Sequence, residues 1–172
     1  METIVRLIDA VVGFLGKAVA WLLFGVVLVT TIVVIMQLFG HNSIAMQESV
    51  TYMHAAVFMI GAAYALQIDG HVRVDVFYRG FSPRKKAVVN IIGTFLFLFP
   101  VAGIILYYSW GDVTRSWAVM ETSNQPGGLP YIYLLKSLMP TFAILLIVQG
   151  VAEVLRNILI LQGKVVLPEE AE

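Results

Sequence analysis

Residues 18–39, AVAWLLFGVVLVTTIVVIMQLF, contain no charged side chain, and the charge-free interval runs on from Lys17 to Glu48. A helix needs about 20 apolar residues to cross roughly 30 Å of hydrocarbon. Lipid offers no partner to backbone N–H and C=O groups, so a lone apolar run that enters it must be helical. Three more intervals repeat the pattern. SVTYMHAAVFMIGAAYALQI lies between Glu48 and Asp69, and AVVNIIGTFLFLFPVAGIILYYSWG between Lys86 and Asp112. The last runs from Pro130 to Leu161, with Lys136 near one end and Glu153 and Arg156 near the other. Ionisable groups near span ends reach the interface by snorkelling. The expected fold is all-α: an integral membrane protein with four transmembrane helices at about 18–39, 49–68, 84–110 and 130–161.

Composition agrees. The chain is 59% hydrophobic and 13% charged, against about 25% charged in soluble domains. Its net charge is zero, so nothing points to nucleic acid. It has no cysteine, which excludes thiol redox chemistry and a thiolate-bound metal. AVA at 18–20 resembles a signal cleavage site, but Glu2, Arg6, Asp9 and Lys17 break up the region before it. The N-terminus reads as retained. Residues 1–17 place Ile4, Leu7, Ile8, Val11 and Leu15 at helical spacing and form an amphipathic segment leading into the first span. Residues 18–161 form the membrane domain, and 162–172 an acidic tail.

Lys and Arg set the direction. Arg73, Arg79, Arg84, Lys85 and Lys86 fall between spans 2 and 3, Arg6 and Lys17 precede span 1, and Arg156 and Lys164 lie near the C-terminus. The opposite loops hold Arg115 alone, with Lys136 at the outer end of span 4. The expected topology is N-in, C-in.

The segment HVRVDVFYRG (71–80) interrupts this apolar chain. As a helix it puts Val74, Phe77 and Phe81 on one face, with Arg73 and Arg79 near headgroups and Asp75 at the helix start. Residues 71–81 are therefore expected to lie in the membrane plane as an arm that meets phospholipids or a partner subunit, through Arg73, Asp75, Phe77, Arg79 and Phe81. A basic loop that only sets topology is the simpler alternative.

Helices 1 to 3 hold no Asp, Glu, Lys or Arg in their membrane interiors, where such residues mark ion paths and substrate sites. The chain reads as a scaffold. His54 is the one titratable group well inside a span, and a neutral imidazole bonded between helices is expected there. A haem anchor would need a second histidine at its depth. Gly61 and Ala65 permit close helix approach, within the unit or against another subunit. Pro100 and Pro140 should kink their helices. Tyr107, Tyr108, Trp110 and Trp117 form an interfacial belt. The polar stretch ETSNQPGGLP then leads into helix 4, with Pro130 expected in its first turn. Trp117, Glu121, Ser123 and Pro130 are the residues by which this loop would meet a partner outside the membrane.

GHVRVDVFYRGFSPRKKAVVNIIG (70–93), YYSW (107–110), SW (116–117) and SNQPGGLPYIYLLKSLMP (123–140) together resemble the small membrane subunit of TRAP transporters, the DctQ-like family. That resemblance covers about Leu15 to Leu161. It implies a non-enzymatic accessory subunit without cofactor or metal, in the bacterial inner membrane. It also implies two partners: a large DctM-like membrane subunit that carries substrate and sodium, and a periplasmic DctP-like binding protein that delivers an organic anion. The small subunit would buttress the large one. The competing reading is the membrane anchor of an electron-transfer complex. A self-contained small transporter is a third.

Overall fold

The computed structural model describes residues 1–70, 78 and 80–164. Described regular structure is entirely helical, and four helices are long and apolar enough to cross a membrane. They are α1 (Glu2–Leu38), α2 (Ile44–Gln67), α3 (Pro83–Ala118) and α4 (Ile132–Leu161). Helix α4 is the hub: it packs against α1, α2 and α3, while α2 also packs along α1. Helix α4 accordingly carries more buried residues than any other described helix, among them Ala143, Gln149, Ala152 and Leu159.

The amphipathic segment is continuous with the first span. Helix α1 runs unbroken for 37 residues, about 55 Å at 1.5 Å per residue, which exceeds the hydrocarbon thickness. Val5, Val12 and Gly16 face inward, and Ile4, Leu7, Val11 and Phe14 face outward. Close approach to α2 depends on glycine. A Cβ at Gly16 would meet Tyr64 Cδ1 at 2.9 Å, and one at Gly25 would meet Met53 Sδ at 3.1 Å.

Helix α2 starts five residues earlier than expected. Ser43 is its N-cap and accepts the Met46 N–H at 3.4 Å, so Glu48 falls inside the helix. At the far end Asp69 takes φ +56°, and the Gly70 N–H reaches back to the Ala65 carbonyl at 2.8 Å. Ser82 then precedes α3, with Pro83 in its first turn, where a missing N–H costs nothing.

Pro100 was expected to kink the third helix. The chain widens into a π-helical turn over Thr94–Leu98, just before the proline. Proline lacks an N–H and its ring crowds the carbonyl four residues back; a wider turn relieves both. This turn abuts α4 at Gly150, where a Cβ would stand 2.7 Å from Leu98 Cδ2 and 2.9 Å from Phe99 Cε1. Pro140 is buried, and helical structure continues through it.

Candidate subunit-docking surfaces

At the end of the bundle that carries the α1–α2 and α3–α4 loops, Glu48 organises the surface. Its carboxylate accepts the Ser123 hydroxyl through one oxygen and the Leu129 N–H through the other, at 2.6 Å. The loop closes on itself as well. The Ser123 N–H bonds the Leu129 carbonyl at 3.1 Å, and the Ile132 N–H bonds the Glu121 carbonyl at 3.1 Å. A Cβ at Gly128 would stand 2.8 Å from Glu48 Oε1, so glycine is what lets the carboxylate reach the backbone. Gly127 turns with φ +77°.

The four residues expected to meet a partner here have different surroundings. Trp117 lies in the last turn of α3; its indole N–H donates to Ser137 Oγ at 2.8 Å and its ring meets Tyr133 with centroids 4.7 Å apart. Glu121 pairs with Lys136 at 2.7 Å, and Lys136 also approaches Asp112 at 3.2 Å. The hydrogen bond from the Lys136 ammonium holds the Glu121 carboxyl below its usual range. Ser123 is bound to Glu48. Pro130 is exposed and precedes α4, which begins at Ile132 after Tyr131. It therefore misses the expected first turn, because the Ile132 N–H is tied to Glu121. The loop is pinned to α2 and α4, with an exposed rim over Asn124–Gly127.

Sequence reasoning missed Glu48, Asp112 and Lys136, which it used only to mark span ends. The available signal was that both acids and the lysine stand at loop-facing helix ends beside a polar loop.

The opposite end, near the termini, holds a second network. Asp9 of α1 receives Arg156 Nη2 on both oxygens, at 2.9 and 2.7 Å, and the Gln149 amide on Oδ1 at 3.2 Å. Arg156 Nη1 bonds Glu153 at 2.6 Å, and Asn157 donates to Glu153 at 2.9 Å. Gln67 of α2 reaches the Asp9 carbonyl at 2.9 Å. This corrects the snorkelling expectation: Arg156 turns into the helix unit, because Asp9 and Glu153 supply two carboxylates there. Gln149, Glu153 and Arg156 recur at helical spacing on α4, a polar face that the sequence displayed.

Of the proposed arm, Arg73, Asp75, Phe77 and Arg79 lie outside the described residues. Phe81 is described and partly exposed, with its ring centroid 6.3 Å from that of Tyr78. The Tyr78 hydroxyl bonds Asn90 at 3.0 Å, and the Lys86 ammonium lies 5.2 Å from its ring centroid. The tail beyond Lys164 is also outside the described residues.

His54 departs from expectation. His54 is exposed on the flank of α2, not bonded between helices, because the α1 and α4 contacts occupy other sides of α2. Gly61 has open space where a Cβ would sit, while Ala65 is half-buried. Among the described residues no cluster of three or more His, Asp or Glu is placed to hold a metal ion.

Comparison with curated proteins returned no match. Comparison with family models matched one, described as the DctQ component of tripartite ATP-independent periplasmic transporters, over residues 25–159. That match covers most of the chain, from the C-terminal part of α1 through all of α2 and α3 and nearly all of α4, so this multi-pass membrane protein belongs to the DctQ family of TRAP transporter small subunits.

Proposed function

We propose that the chain is the accessory subunit of a sodium-coupled importer of an organic anion, and that it buttresses a large membrane subunit in the bacterial inner membrane. The observation that carries this reading is the DctQ family match over residues 25–159. The two polar networks support it. Asp9–Arg156 ties α1 to α4, and Glu48 ties α2 to the α3–α4 loop. Both spend their charge on holding helices together, which suits a fixed scaffold. The exposed loop rim over 124–127 is the proposed contact for the periplasmic binding protein. In this reading the termini face the cytoplasm, and residues 71–81 form the in-plane arm against phospholipid or the large subunit.

Purification of the tagged chain from native membranes, followed by mass spectrometry, tests the assembly. A large multi-helix subunit should come along, and sodium-driven uptake in vesicles should require both chains. Uptake by the large subunit alone at the full rate would refute the buttressing role. Orientation is tested by an impermeant thiol reagent. Asn124→Cys should label from outside, and Ser82→Cys only after the membrane is opened.

A further inference from the structure

Helix α2 is the least apolar of the four spans. One side of it meets α1 and α4, where Ala63 is fully buried. Thr51, His54 and Phe58 are exposed on the free side, and Gly61 has open space beside it. Their spacing of three, four and three residues makes one continuous stripe. His54 is the eleventh residue of a 24-residue helix. Glu48 at the loop end stands six residues before it, about 9 Å along the axis, so the imidazole lies about a third of the way across roughly 30 Å of hydrocarbon. Its ring neighbour is Phe58 of the same helix, with centroids 6.0 Å apart.

Acyl chains offer an imidazole no hydrogen bond, and ionisable side chains at that depth face protein or a water-filled cavity. The other free flanks differ. Helix α1 presents Phe14, Trp21, Phe24, Leu28 and Ile35, and α3 presents Phe97, Val101 and Ile104. Those surfaces suit lipid. The α2 stripe requires polar complementarity from outside the chain.

We infer that the Thr51–His54–Phe58–Gly61 stripe seats a transmembrane helix of the large membrane subunit. That helix offers His54 a hydrogen-bonding group within the hydrocarbon and lays a bulky apolar side chain in the notch at Gly61. A second copy of this chain is the competing occupant, since Gly61 facing Gly61 about a two-fold axis would also pack closely; the family match, which makes the chain one component of a multi-subunit transporter, favours the large subunit. The inference rests on the proposed function, since it assigns a face to a partner which that reading supplies.

The test uses the whole transporter in its own membrane. A photoreactive benzoylphenylalanine replaces Phe58 in one variant and Phe24 of α1 in another. Irradiation at position 58 should give an adduct with the mass of this chain plus the large subunit, whatever position 24 does. Gly61→Leu should lower recovery of the large subunit at least tenfold while the chain itself still accumulates. His54→Gln should retain recovery, and His54→Phe should lose it. An adduct of doubled chain mass, lipid adducts alone at position 58, or undiminished recovery with Gly61→Leu would overturn the inference. If the unaltered chain recovers no large subunit, the proposed function itself falls. If it does recover one and position 58 stays silent, only the α2 assignment falls.

Discussion

Glu48→Ala is the most informative single change at the loop end. It removes the acceptor for the Leu129 N–H and for the Ser123 hydroxyl together. Hydrogen bonds to charged groups contribute about 1.5–3 kcal/mol each to stability. Glu48 and Leu129 are half-buried, so water replaces part of the loss and the lower end of that range applies. Leu129 and its neighbours should lose about 1.5–2 kcal/mol of local stability, which raises the opening constant about 10- to 30-fold. Residue-resolved amide exchange in a lipid disc reads this directly. The Leu129 amide should exchange faster by that factor, while amides in the middle of α2 stay protected, since the Ser43 cap is untouched. Glu48→Gln keeps an acceptor without the charge and should fall between the two. Unchanged exchange at Leu129 in Glu48→Ala would show that the loop holds its shape through Ser123–Leu129 and Glu121–Ile132 alone, and would refute the clamp.

The Glu121–Lys136 pair makes a pH prediction. Glu121 is depressed in the folded state, so its contribution is present above the ordinary carboxylate range near pH 4.3 and fades as pH falls through the lower folded value. Fluorescence from Trp117 alone (Trp21 and Trp110 replaced by Phe) should stay flat down to that range and change below it, and Lys136→Met should flatten the acid limb. At Gly150 any side chain crowds Leu98 and Phe99, so Gly150→Leu should destabilise the purified chain by about 1–3 kcal/mol through overpacking. Gly61→Ala, with open space around it, should leave its melting temperature unchanged or raise it. Finally, a double-mutant cycle of Asp9→Asn and Arg156→Leu, read by thermal unfolding, should show coupling of about 1–3 kcal/mol; additive effects would mean the ion pair contributes nothing of its own.

The count of spans and the helical class follow from the sequence alone, because hydrocarbon pairs with no backbone group and each long apolar interval admits one solution. Span ends were less legible. The Ser43 cap and the tie between Ile132 and Glu121 moved α2 and α4 away from the starts expected after Glu48 and at Pro130. The family resemblance was also in the sequence, carried by motifs around 70–93 and 123–140. Which polar groups meet was not. Asp9 and Arg156 are 147 residues apart, and Glu48 and Leu129 are 81 apart. Apolar periodicity says which side of a helix is buried, but not which neighbour it meets. That choice was made by packing. Glycines at 16, 25 and 150 let α1 close on α2 and α3 close on α4. Once those axes were set, His54 was left outside and Arg156 inside. Arg156 finds Glu153 one turn away on its own helix, but its pairing with Asp9 and the exposure of His54 were decided only by the placement of the other helices.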